Sequence, residues 1–217
     1  MADLPDAPVA PRRTRGRPRH DEVELIDSEL LDGALREFLK TGYGGTSVAQ
    51  IVKALSISKT TLYSRYPSKE DLFRAIILQQ IQKLSARAAL QVDGGWQELG
   101  IGLRAYANRM LEVSLEGEVR AVNLLIYGES QRFPELGKAA AERSQMGVAQ
   151  IADFILLCAQ RDKVPIRGPQ AVAQAFIFML RGWYVDVLLG GRTVSSAERE
   201  IWVEKSVHAL LSGRTGW

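Results

Sequence analysis

The 217-residue sequence predicts an all-α protein, and three observations carry that prediction. From Ile26 onward, apolar residues recur at three- and four-residue spacing, the period of a helix with one buried face. Past residue 90 there is no strand-like alternation and no internal repeat. Ser, Thr, Gly and Pro stand where the periodic segments begin and end, so each segment carries its own start and stop signals. About nine helices are expected, as a small three-helix N-terminal part and a larger helical body.

Residues 1–20 hold Pro5, Pro8, Pro11 and Pro18, half of the 8 prolines, among few apolar residues, which predicts a flexible arm. The first helix is expected from Ile26 through Leu30, Leu31, Ala34, Leu35, Phe38 and Leu39, ending at Gly42, a residue suited to a left-handed cap. A short second helix runs from about Ser47 to Leu55, capped by Thr46 or Ser47, with Val48, Ile51, Val52 and Leu55 inward. The third starts at the cap Ser58, includes Leu62 and Tyr63, and is stopped by Pro67. Ser68 and Asp71 make a capping-box arrangement for a long fourth helix with a stripe from Leu72 to Leu84. Trp96 to Leu111 marks a fifth, Val119 to Tyr127 a sixth and Pro134 to Gln160 a seventh. Gly168-Pro169 opens an eighth that reaches about Leu189, and Ser195 with Glu198 caps a ninth that ends before Gly213.

Composition narrows the function classes. With 46% hydrophobic residues the chain can build a core, which excludes disorder throughout. Its single cysteine, Cys158, lies in an apolar stretch and reads as a small buried hydrophobe; no Cys/His cluster offers a zinc site. A reducing, cytoplasmic setting is expected. The longest apolar run, Ala171 to Leu189, is interrupted by Gln174, Arg181 and Asp186, and no signal-peptide core is present, so no membrane partner is expected. Only His20 and His208 are present, and there is no serine elbow, P-loop or metal spacing. Neither an enzyme nor a cofactor or metal site is expected.

Charge is distributed unevenly. Five arginines face Asp3 and Asp6 in residues 1–20, six acids and no base occupy 21–32, and seven bases face three acids in 33–74. This is the pattern of a chain that meets a polyanion at one end. Within 46–69, two short helices joined by a tight turn form a helix-turn-helix, the second exposing Lys59, Thr60, Thr61, Tyr63 and Ser64 while Leu62 locks it inward. Small polar and basic side chains on such a helix suit base edges in the major groove. Lys69 falls in the first turn of the fourth helix, where free amides and the helix dipole already favour a phosphate; the amides after Thr46 and Ser47 offer a second clamp. An ordinary hairpin with a solvated basic face is the competing reading.

These residues resemble TetR-type transcriptional regulators. The resemblance covers about Leu31 to Ile77 and rests on Lys40-Thr41-Gly42-Tyr43, Thr46-Ser47-Val48 with Ile51, Ser58-Lys59-Thr60-Thr61-Leu62-Tyr63, Tyr66, Ser68-Lys69-Glu70 and Leu72-Phe73. It implies that Tyr63 and Lys69 contact the DNA backbone, that Thr61 and Thr46 contact phosphate, and that Lys59 and Thr60 read bases. Two positions depart from the family pattern. Leu55-Ser56 stands where Ala-Gly is usual, and a non-glycine residue in a left-handed turn costs about 1–2 kcal/mol. Thr60 stands where many members have glycine, which implies an altered base preference. In the arm, Arg15-Gly16-Arg17-Pro18 resembles an AT-hook core for a narrow minor groove; the alternative is a solvated tail that raises nonspecific affinity.

The resemblance divides the chain into an arm (1–20), a helix-turn-helix domain (21–67) and an effector-binding and dimerisation domain (68–217). It implies a ligand-responsive repressor that binds a palindromic operator as a homodimer and is released by a small apolar effector. Phe176, Met179, Trp183 and Val187 on the eighth helix and Trp202 and Leu210 on the ninth are the expected dimer contacts. Trp96, Tyr106, Met110, Tyr127, Phe154 and Phe178, with Phe133, are candidates for an effector pocket, and Asn123, Glu129 and Gln150 for its polar anchors. Aromatics at helical spacing equally suit a plain core. The segment Gly128 to Leu136 resembles the C-terminal domain of AefR-like members. A helical small-molecule-binding or interaction protein without DNA function is the alternative, and it leaves the 46–69 constellation unexplained.

Overall fold

The computed structural model describes residues 20–88 and 98–214, with side chains described over 27–84 and 98–214. Among the described residues the regular elements are nine helices and no strand. They are α1 (His20–Gly45), α2 (Val48–Ala54), α3 (Lys59–Tyr63), α4 (Lys69–Ala88), α5 (Leu99–Leu115), α6 (Gly117–Glu129), α7 (Pro134–Asp162), α8 (Pro169–Leu189) and α9 (Ser196–Ser212). The expected arm, including Arg15 and Arg17, lies outside the described residues, as does Trp96.

Helix α1 begins at His20, ahead of the expected Ile26, and its regular path breaks at Gly42, whose φ of 71° only glycine adopts without strain. Gly33 is required for a different reason: a Cβ there would sit 2.2 Å from Leu55 Cδ2, so its absence lets α1 and the end of α2 touch. The acidic run of residues 21–32 has partners in the fold. Asp27 pairs with Arg65 just past α3, and Asp32 pairs with Lys83 of α4 at 2.8 Å.

Two cores result. One joins α1–α4 to α6 and the start of α7 through Leu35, Phe38, Tyr43, Ile51, Leu62, Leu72, Phe73, Ile76 and Phe133. The other is made by α5, α7, α8 and α9 around Leu103, Ile151, Phe176, Leu180, Val187 and Val207. Helix α8 is long and apolar enough to cross a membrane by length and composition alone. Its inward face, including Ala173, Phe176, Ile177, Leu180, Tyr184, Val187 and Leu188, is buried against the rest of the body, which makes it a core helix here.

Candidate nucleic-acid interface and interior cavity

The caps fix the two short helices. Ser47 accepts the Gln50 amide at 3.2 Å while its own amide donates to Gln50 Oε1 at 2.7 Å, a reciprocal box that closes the start of α2. Thr46 is not a second cap. It is buried, and its hydroxyl contacts the Gly42 carbonyl at 2.7 Å and Thr41 Oγ1 at 2.8 Å. The expected phosphate contact by its side chain is therefore corrected: the hydroxyl is occupied tying α2 to the end of α1. In the turn, Ser56 carries φ 54°, while Leu55 remains right-handed, so the left-handed strain falls on one serine.

Helix α3 is one turn and a little more. Ser58 Oγ accepts the Thr61 amide at 3.0 Å and contacts Thr61 Oγ1 at 2.8 Å, and Ser64 Oγ donates to the Thr61 carbonyl at 2.9 Å. The helix stops at Tyr63, before Pro67. Leu62 is buried while Lys59, Thr60, Thr61 and Ser64 are exposed and Tyr63 is 43% exposed. A five-residue helix with one anchor and four solvent-facing polar or amphipathic side chains, followed by the exposed cap Ser64, has no internal use for that face.

Beside it, Ser68 Oγ accepts the Asp71 amide at 3.0 Å and donates to Asp71 Oδ2 at 2.7 Å, so the expected box is closed between side chains. Lys69 Nζ stands 4.3 Å from the Tyr43 ring centroid, with Arg132 over the same ring at 4.5 Å. Tyr43 donates its hydroxyl proton to Glu70 Oε1 at 2.7 Å. Burial, reinforced by that bond, pushes the phenol up to about 12, and the bond draws the Glu70 carboxyl below its usual range. Lys69 is thus held by a ring whose position is fixed from both sides.

In the body, α5–α8 line a partly open cavity of about 100 Å³, with Ile81 of α4 on its wall. Of the candidate residues, Tyr106, Met110 and Tyr127 line it, and so do Asn123 and Gln150. Asn123 Nδ2 donates to the Ser114 carbonyl at 3.1 Å, and the Tyr127 and Tyr184 hydroxyls meet at 2.8 Å. Three expected pocket residues belong elsewhere. Phe154 is buried in the packed core, Phe133 is packed in the other core beside Tyr43 and Phe73, and Phe178 is 47% exposed on the outer face of α8. Glu129 is not on the cavity wall. The sequence reading missed Arg143, Arg181 and Tyr184, which the cavity brings together. In the sequence Arg181 reads as a break in an apolar run; a cation at i+4 from Ile177 and i−3 from Tyr184 on a core helix is the available signal.

The expected dimer residues also divide. Phe176, Val187 and Leu210 are interior to the chain, because their positions on α8 and α9 face α5 and α7. Trp183 and Trp202 stack on each other at 5.7 Å and, like Met179, are partly buried against the same core. The outward apolar residues are Phe178 and Leu189 of α8 and Ile201 of α9.

A capped pair of short helices presenting a polar face, with a lysine anchored beside it at the start of a long helix, defines a helix-turn-helix DNA-binding transcriptional regulator. The chain belongs to the TetR family: residues 30–76 match the family of bacterial regulatory proteins of the tetR type, and residues 102–213 match the AefR-like transcriptional repressor C-terminal domain. It is 33% identical over 88 residues to the transcriptional repressor ComR of Escherichia coli (strain K12), a match that spans 40% of each protein. It is 24% identical over 180 residues to the transcriptional repressor Rv1474c of Mycobacterium tuberculosis, covering 83% of this chain and 87% of that one. Among solved structures, the flavonoid-responsive regulator FrrA superposes with a TM-score of 0.67 at 26% identity, covering 88% of this chain and 97% of FrrA.

Proposed function

We propose that this regulator is a cytoplasmic homodimeric repressor that holds a palindromic operator and lets go when a small effector enters the α5–α8 cavity. The observation that carries the reading is the course of α4. One unbroken helix starts at Lys69 beside the recognition helix and reaches the cavity wall at Ile81, twelve residues or about 18 Å away. A shift of that helix on filling the cavity changes the separation of two recognition helices, which half-sites about 34–36 Å apart do not tolerate. A coupling of about 1–3 kcal/mol is enough for a working switch.

In this reading residues 1–20 are an arm whose Arg15 and Arg17 enter a minor groove, 21–67 are the DNA-binding head, and 68–217 are the effector and dimer part. Ser47, Thr61, Tyr63 and Lys69 grip the backbone, and Lys59, Thr60 and Ser64 face base edges. The dimer forms through the exposed Phe178, Gly182 and Leu189 of α8 with Ile201 of α9, a face with helical spacing and apolar character. Support for ligand response comes also from FrrA, which is flavonoid-responsive and of similar fold.

The test is a mobility-shift titration on the chain's own upstream DNA at several salt concentrations. Specific binding with a steep salt slope is expected, and the slope becomes shallower when residues 1–19 are deleted. Binding no tighter than to unrelated DNA would remove the operator reading and leave a helical ligand-binding protein. Sedimentation distinguishes a dimer from the monomer that Phe178→Glu is expected to give.

A further inference from the structure

The geometry points to a small organic carboxylate as the occupant of the α5–α8 cavity, its charge held by Arg143 of α7 and Arg181 of α8 and its compact apolar body by Met110 and Ile177. The inference rests on that cavity being the effector site, and it names the chemical class.

Two guanidinium groups from adjacent helices reach one cavity of about 100 Å³, and no carboxylate lies on its wall. Ion pairs account for many of the chain's other arginines, among them Arg65 with Asp27, Arg74 with Glu135, Arg199 with Glu116 and Arg214 with Asp162. None of the ion pairs among the described residues includes Arg143 or Arg181. Both are half-buried, and they lie close enough to repel each other.

What stands around them is phenolic. Burial, with further contributions from Tyr127, pushes Tyr184 up, and burial pushes Tyr106 up to about 12, so both stay neutral near pH 7 and supply no balancing charge. Burial also pulls Arg143 below its ordinary range. Arg181 is opposed by burial too, but its interactions with Tyr127 and Tyr184, hydrogen bonds among them, outweigh it and leave its guanidinium above its ordinary range. A cation taken partly out of water beside a second cation is costly, and an anion that enters between them restores what the fold leaves unmatched.

A planar carboxylate meets the guanidinium fork with two parallel hydrogen bonds, which a neutral amide cannot reproduce. Size restricts the remainder of the ligand. The interior is smaller than the ~150 Å³ space that accepts benzene in an engineered core, so the part of the ligand held inside is a single ring or a short chain, and anything larger extends through the open side.

Calorimetric titration of the full chain with benzoate against benzamide, and butyrate against butyramide, tests this with matched shapes that differ in charge. The acids are expected to bind about 10- to 100-fold more tightly than their amides. Arg143→Gln and Arg181→Gln should each shrink that ratio, and Arg143→Lys should keep part of it, with unliganded melting curves confirming that each variant folds. Amides binding as tightly as acids, or neither series binding at 10 mM, which is far above ordinary effector affinities, overturns the assignment. Failure of the underlying reading looks different: acids that bind tightly without altering operator affinity leave the anion site in place and remove its regulatory use.

Discussion

The core under the helix-turn-helix and the core of the C-terminal body draw on the same residue types but use space differently. In the first, Phe38, Tyr43, Phe73 and Phe133 interlock at centroid distances of 4.9–6.0 Å, and the buried Thr46 spends its hydroxyl on neighbouring oxygens. In the second, helices stand around a cavity with two cations on its wall. The filled core holds a DNA-reading surface in one geometry. The unfilled one leaves room that, in the proposed reading, an incoming molecule uses to bias a conformational equilibrium. Phe133 and Arg132, on the α6–α7 connection, pack against Tyr43 and so join the two regions.

The largest effect that separates them is in packing. Phe73→Ala, in the middle of the filled cluster, is expected to lower unfolding free energy by about 3–5 kcal/mol in urea titrations. Met110→Ala, whose removed atoms already border a void, is expected to cost under about 2 kcal/mol. Equal costs would erase the distinction between the cores.

Alkaline unfolding comes next. The folded Tyr43 phenol titrates near 12, two units above an exposed tyrosine, so between pH 10 and 12 the unfolded chain loses a proton that the folded chain keeps. Stability from this group is complete below pH 10 and falls by about 1.4 kcal/mol per pH unit above it. Tyr43→Phe should flatten that limb of the stability curve, since the ring stays and the titration goes. Tyr106 contributes the same sign from the body, so Tyr106→Phe measures whether the two regions respond alike.

Smaller effects belong to the interface itself. Lys69→Gln and Tyr63→Phe are each expected to weaken operator binding by about 1–2 kcal/mol, with the salt slope reduced by about 1 for the lysine only. Melting temperatures should stay near the parent value, because neither side chain is in a core. Smallest is Ser56→Gly, which relieves the positive φ and should stabilise the head by up to about 1 kcal/mol while leaving the body unaffected.

Much of the head, and the start of α9 in the body, was legible in order along the chain. Ser47, Ser58, Ser68 and Ser195 all accept the backbone amide three residues on, because a cap is a local hydrogen bond that needs only the right residue at the right offset. Glu198 shows the limit: its amide is capped as expected, while its carboxylate takes Arg192 at 3.3 Å. The body was legible as helices and illegible as a site. Helical periodicity says that Phe154, Phe176 and Phe178 cannot all face one way, but which way each faces depends on where α5 and α7 lie. Hence Phe154 moved from pocket to core, Phe176 from dimer face to core, and Phe178 from pocket to outer surface.

The amino-acid order alone determined the helices, their caps, the break at Gly42, the strained turn at Ser56 and the polar face of α3, since each depends on contacts within a few residues. Tertiary structure decided that Thr46 is buried, that Tyr43 supports Lys69, and that Arg143 and Arg181 share a cavity. Those outcomes depend on distances between segments far apart in the chain, which the packing of whole helices sets and no local pattern encodes.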